Sequence, residues 1–151
     1  MRVERDFKRY KLKIEGNKVY DPIRQMYVPL TPEEDVRQRT IKYLINRMKV
    51  PSDKIVVERG LNTFGVEGSR KRIDIGLIGD YHDLAAIIEC KAYSLTGTTT
   101  PFEQAIDYVM ALNIPAYFVT DGIIMEGFSL DPDNHQFIKM DSLPMYESLC
   151  V

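Results

Sequence analysis

The chain contains two apolar runs of strand length on either side of a turn. The first is Lys71-Arg72-Ile73-Asp74-Ile75-Gly76-Leu77-Ile78 and the second is Leu84-Ala85-Ala86-Ile87-Ile88-Glu89-Cys90-Lys91. Between them lies Gly79-Asp80-Tyr81-His82-Asp83, rich in turn-forming residues, so the segment predicts a β-hairpin. Side chains alternate along a strand, which puts Glu89 and Lys91 on one face. A hairpin that closes with Gly79 facing Leu84 sets Asp74 opposite Glu89 and Arg72 opposite Lys91. Its other face becomes a continuous apolar surface of Ile73, Ile75 and Leu77 against Cys90, Ile88 and Ala86. Carboxylates directly opposed across a strand pair repel, and burying them costs more unless something positive sits between them. Carboxylate oxygens beside a phosphate suit Mg²⁺, so this hairpin reads physically as a metal-phosphate site.

With 151 residues, 44% of them hydrophobic, the chain suits one globular domain over 1–151 with a real core. No apolar run has the length of a membrane span, and Met1-Arg2-Val3-Glu4-Arg5-Asp6 lacks a secretory apolar segment. Cys90 and Cys150 make neither a disulfide framework nor a zinc pattern, and Cys90 reads as a small core residue. The expected setting is cytoplasmic and reducing.

The net charge of −2 is not the footprint of an avid nucleic-acid binder. Basic residues cluster in Lys8–Lys13, in Ser69-Arg70-Lys71-Arg72, and along Arg37, Arg39, Lys42, Arg47 and Lys49. Such clusters read first as solvated faces. The Ser69–Arg72 run differs because it leads straight into Asp74.

Residues 1–30 read as an N-terminal extension, with a hairpin around Glu15-Gly16-Asn17-Lys18 and an irregular Asp21-Pro22 passage. Thr31-Pro32-Glu33-Glu34 is a helix start, with Thr at the N-cap, Pro at the first position and Glu34 closing a capping box. Val36, Thr40, Tyr43, Leu44 and Met48 form the inward stripe, and Pro51 stops the helix. A strand over 54–59, a polar loop from Gly60 to Gly68 and the hairpin follow. Thr100-Pro101-Phe102-Glu103 starts a second helix with the stripe Phe102, Ala105, Ile106, Val109 and Met110. Ala116–Thr120 is a strand. Asp121-Gly122 turns into Ile123–Leu130, and Gln136–Met140 is a last strand. Residues 31–120 are thus the core and 121–151 the C-terminal strands of an α/β sandwich on a mixed sheet.

A lone Glu-x-Lys carries little, but this one ends a buried strand, follows Asp74 on the preceding strand and precedes a helix. The chain here resembles the PD-(D/E)XK nuclease superfamily, with its helix, three-strand meander, helix and strand. More narrowly, it is similar to the N-terminal nuclease domain of the type I restriction enzyme R protein. That likeness rests on Tyr20-Asp21-Pro22-Ile23-Arg24, on Tyr27 to Glu34 with Val36-Arg37-Gln38, on Arg72-Ile73-Asp74-Ile75, on Ile88-Glu89-Cys90-Lys91-Ala92, and on Gln104 with Tyr108. Ile73 stands where the superfamily usually has proline.

The resemblance implies a restriction-endonuclease-like fold and metal-dependent hydrolysis of DNA phosphodiesters. Asp74 and Glu89, with the Cys90 carbonyl, would hold Mg²⁺, for which Mn²⁺ can substitute. Glu33 of the first helix, expected to lean toward the core, would assist. Lys91 would act on the attacking water or on charge at the phosphate, and Gln104 would position the strand backbone or a water. Arg70, Lys71, Arg72 and Tyr108 would contact DNA. Type I R proteins continue into an ATP-driven motor and work with methyltransferase and specificity subunits, which makes these candidate partners; an oligomer is also compatible.

Two other classes fit the same residues. One is a nuclease-fold DNA-binding or assembly module that serves a partner and has little activity alone. The other is a structural domain whose Glu89 and Lys91 form a surface ion pair, a contact worth little. His82 and His135 read as surface residues, and Asp131 with Asp133 lacks the pattern of a calcium loop.

Overall fold

The structure, a computed structural model, describes residues 1–92, 94–95, 109–131, 133–134 and 136–150. Helix α1 (Glu4–Arg9) is followed by β1 (Ile14–Glu15), β2 (Lys18–Asp21) and β3 (Met26–Pro29), a small antiparallel sheet. Helix α2 (Pro32–Asn46) comes next. Strands β4 (Ile55–Gly60), β5 (Arg72–Ile78), β6 (Leu84–Cys90), β7 (Ala116–Thr120), β8 (Met125–Asp131) and β9 (Gln136–Lys139) form a second sheet in that order. A short helix, α3 (Tyr146–Leu149), lies near the C-terminus.

Neighbours in the large sheet are antiparallel except β6 and β7, which are parallel. A parallel pair requires a crossover. Most of the expected second helix, with Phe102, Ala105 and Ile106, lies outside the described residues; residues 109–111 are helical. The architecture is therefore α/β on a mixed six-stranded sheet.

The α2 cap forms as the sequence predicts, with the Glu34 N–H donating to Thr31 Oγ1 at 3.1 Å and Pro32 at the first position. The return half of the box is replaced, because both Glu34 oxygens are engaged by Arg24, Arg37 and Gln38. Val36, Thr40, Tyr43 and Leu44 are buried, as their spacing requires; the helix ends at Asn46, short of the expected stop at Pro51, and Met48 is buried beyond its C-cap Arg47.

Two apolar clusters sandwich the sheet. One packs α2 residues Ile41 and Leu44 on Ile75, Leu77, Ala86, Ile88, Cys90 and Phe118. The other gathers Leu61, Ile87, Leu95, Val109, Tyr117 and Val119. Strands β6 and β7 are covered on both faces, which is why they read as continuous apolar runs rather than alternating ones.

Four expectations need correction. The hairpin register holds where Ile75 faces Ile88, Gly76 faces Ile87 and Leu77 faces Ala86, but it then shifts so that Ile78 faces Leu84. Gly79 N–H donates to Asp83 O at 2.8 Å instead of pairing with Leu84, and the bulge absorbs the extra residue. Ile73 joins the second cluster, not the face of Ile75 and Leu77. Across from it, between the Val57–Ile75 and Arg59–Ile73 pairs, Glu58 takes φ 54°, which interrupts the pleat. The segment from Gly60 to Gly68 is not simply polar, because it contains a 3-10 turn at Leu61–Phe64 that buries Leu61. Finally, residues near the N-terminus form α1, whose Phe7 enters the first cluster alongside Val3.

Gly76 sits where side chains of the second layer close over the sheet. A Cβ there would lie 2.8 Å from Ile73 Cδ1 and Val56 Cγ2 and 2.9 Å from Leu84 Cδ2. Gly76→Ala is expected to destabilise the fold by about 1–3 kcal/mol, read from urea denaturation midpoints. An unchanged midpoint would contradict this packing.

Candidate active site

Asp74 stands where the β5–β6 ladder opens. The last paired residues are Ile75 and Ile88. One step beyond, Asp74 Oδ2 accepts the Cys90 N–H at 2.8 Å, so a side-chain oxygen replaces a ladder carbonyl. The Asp74 carboxylate is thereby fixed to the amide of the residue between Glu89 and Lys91.

Glu89 and Lys91 alternate with Cys90 at the end of β6. Cys90 points into the α2 side, with Sγ 3.7 Å from Thr40 Oγ1. Lys91 Nζ is 3.4 Å from Glu89 Oε2, and the two side chains are 22% and 16% exposed. Their strand is interior to the sheet, between β5 and β7, so a surface pair on an edge strand does not describe them. The Lys91 N–H donates to Thr120 O at 2.9 Å and ties the strand end to β7. Arg72 does not face Lys91; it pairs with Gly60 on β4, and its guanidinium lies 3.9 Å from Glu58.

Arg37 of α2 belongs to a basic cluster whose sequence reads as a solvated face, yet its side chain is only 7% exposed. Nη1 donates to Glu34 Oε1 at 2.7 Å, and Nη2 lies 3.2 Å from Asp74 Oδ1, 2.5 Å from Glu58 Oε1 and 3.3 Å from Glu33 Oε1. One guanidinium thus joins α2, β4 and β5. Burial disfavours its charge, but Glu34, Asp74 and Glu58 outweigh that and hold it protonated. A second arginine extends the network, with Arg24 Nη2 2.8 Å from Glu34 Oε1 and Nε 2.6 Å from buried Asp21. The Tyr20–Arg24 segment therefore braces the start of α2.

Sequence reasoning missed Arg37, Glu58 and Arg24 as site-building residues. A signal existed for Glu58, a charge within an apolar strand, and for Arg37, three residues after Glu34 and four after Glu33 on one helix. Arg24 stands in the Tyr20–Arg24 segment that carries the family likeness, which assigns it no role at the site. Of the two first-turn acids, Glu34 is the buried one and Glu33 is half exposed, the reverse of the expected lean. Glu33 is nevertheless in the field of the site. Burial and then the Asp74 carboxylate push its carboxyl up, while Arg37 and Lys91 pull it down.

Among the described residues, no three or more His, Cys, Asp or Glu side chains stand together as a metal cage. The donors available at this strand end are instead the Asp74 and Glu89 carboxylates with the Cys90 carbonyl, a hard oxygen set of the kind Mg²⁺ accepts alongside water and phosphate. Each Asp74 oxygen has one protein partner and, with its remaining lone pairs, can accept more. Arg70, Lys71 and Arg72 line a groove of about 460 Å³ with Asn62, Thr63 and Glu58, so the basic run begins beside Glu58, which hydrogen-bonds Arg37. Gln104 and Tyr108 lie outside the described residues.

A mixed-sheet α/β domain with an acid–lysine cluster at the end of an interior strand is the class that this fold and site define. The model of the family described as type I restriction enzyme R protein N terminus matches residues 32–144, most of the chain. The chain belongs to that family, which is the nuclease domain of the R subunit and is related to restriction-modification. No curated protein matches it. No helix among the described residues is long and apolar enough to cross a membrane.

Cys90 is fully covered, and burial and then the Asp74 carboxylate push its thiol up, so it is a packing residue rather than a nucleophile. A thiol reagent at about pH 8 is expected to label Cys150 in the native protein and Cys90 only after denaturation. Prompt native labelling of both would contradict the burial.

Proposed function

We propose that this chain is a metal-dependent DNA endonuclease domain, restriction-endonuclease-like in fold, serving restriction-modification or DNA processing. The observation that supports it best is the Asp74 carboxylate seated on the amide between Glu89 and Lys91. Asp74, Glu89 and the Cys90 carbonyl would hold Mg²⁺ or Mn²⁺, with Glu33 at its α2 side. When bound, the ion supplies charge neutralisation at the scissile phosphate and a more acidic water.

Lys91 would orient or deprotonate the attacking water, or place its ammonium where charge develops on the phosphate. Gln104 would position the strand backbone, and Tyr108 would donate to phosphate. Arg70, Lys71 and Arg72 would carry the DNA backbone along the groove beside Glu58. Phosphate contacts of this kind fix position without reading sequence.

On this reading residues 1–151 act as one cytoplasmic domain with the core at 31–120. The net charge of −2 favours a setting in which partners add grip on DNA. A motor and methyltransferase or specificity subunits are the proposed partners. The same charge favours, as a second reading, an assembly module with little activity alone.

Supercoiled plasmid incubated with Mg²⁺ or Mn²⁺ is expected to be nicked or cut, with Lys91→Ala slower by about 100-fold or more. Equal rates in wild type and Lys91→Ala would remove the catalytic assignment. In fluorescence anisotropy with a duplex across a salt series, replacing Arg70, Lys71 and Arg72 by Ala should reduce the salt slope by about 3. A slope that does not change would place the DNA elsewhere.

A further inference from the structure

We propose that Arg37 is a positioning residue for the metal site, the internal cation with which a divalent ion competes for Asp74; this rests on the metal reading above. Arg37 Nη2 carries two hydrogens, yet the carboxylates of Glu33, Glu58 and Asp74 lie 3.3, 2.5 and 3.2 Å from it. Nη2 alone cannot donate to all three acids at once. Arg24 cannot make up the deficit because it is committed to Asp21 and Glu34.

The guanidinium also gives up a bond to reach this position. Its Nε is buried and has no hydrogen-bond partner among the described residues. An arginine serving only as a brace would more economically use a two-pronged fork on one carboxylate, with no buried donor left over. Arg37 instead spreads its end nitrogens over four acids from α2, β4 and β5.

Two consequences follow from Coulomb's law. Without an ion, Arg37 offsets repulsion among the acids and holds Asp74 Oδ1 while the Cys90 amide holds Oδ2. With an ion, a second positive charge bears on the same carboxylate, so Arg37 weakens metal binding while keeping the metal-free site ordered.

The test uses Mn²⁺ as the probe, with thermal unfolding in EDTA and in Mn²⁺, and calorimetric titration. Arg37→Gln in EDTA should lose roughly 10 °C in Tm, since it strands buried acids. In Mn²⁺ the loss relative to wild type should shrink by roughly 3–5 °C, with the ion bound about tenfold more tightly than by wild type. Arg37→Lys, whose single ammonium cannot span the same acids, should move in the same direction by less.

A purely structural arginine would give equal Tm losses with and without Mn²⁺ and unchanged affinity, and that result overturns the inference. If Arg37→Gln folds in neither condition, Arg37→Lys decides, and a Mn²⁺ stabilisation no larger than that of wild type overturns it. If wild type shows no Mn²⁺ response that Asp74→Asn removes, the metal reading fails and this inference falls with it. A wild-type response that Asp74→Asn removes but neither Arg37 variant enlarges sinks the Arg37 inference alone.

Discussion

The buried guanidinium of Arg37, shared among Glu33, Glu34, Glu58 and Asp74, is the contact on which the arrangement of α2, β4 and β5 depends. Two unit charges about 4 Å apart at an effective dielectric near 20 interact by roughly 4 kcal/mol. Two such repulsions left uncompensated would consume much of the roughly 5–15 kcal/mol that keeps a domain folded. Acids therefore gather here only because a cation is built into the helix that covers them. Arg24 repeats the device one layer out, joining Glu34 to Asp21 and so linking the small N-terminal sheet to the helix start.

The sheet supplies the second constraint. Strand β6 is interior and apolar on both faces until Glu89, so polar chemistry can begin only at its end. There the ladder to β5 opens, and Asp74 fills the vacated acceptor position on the Cys90 amide. The pairing of Lys91 N–H with Thr120 O keeps the end of the strand from fraying. Charged groups are thus held by backbone geometry on one side and by the α2 arginine on the other. Such fixed placement is what stabilisation of developing charge requires.

What could be read in the sequence followed from local rules. The Thr31 cap, the inward stripe of α2 and the Ile75–Ile88 register all rest on residues close together along the chain or on simple alternation. The failures involve distance or a broken rule. Glu58 adopts a left-handed backbone angle inside a strand, which no propensity predicts, and Ile73 joins the second cluster rather than the face of Ile75. Arg37 looked like one more helix-surface cation because its partners, Glu58 and Asp74, are remote in sequence and meet it only in three dimensions. Glu34 has the spacing of a capping-box residue, yet tertiary arginines outcompete the Thr31 amide for its oxygens. Membership in the R-protein N-terminal family agrees with the residue pattern from Thr31 onward, where the match begins at Pro32.

The claim beneath all of this is that the strand-end acids grip a divalent ion. Anomalous diffraction from crystals soaked in Mn²⁺ tests it most directly. The account predicts a peak within about 2.5 Å of carboxylate oxygens from both Asp74 and Glu89. A peak bound by other residues, or a fully occupied Mn²⁺ elsewhere with none at this strand end, would contradict it.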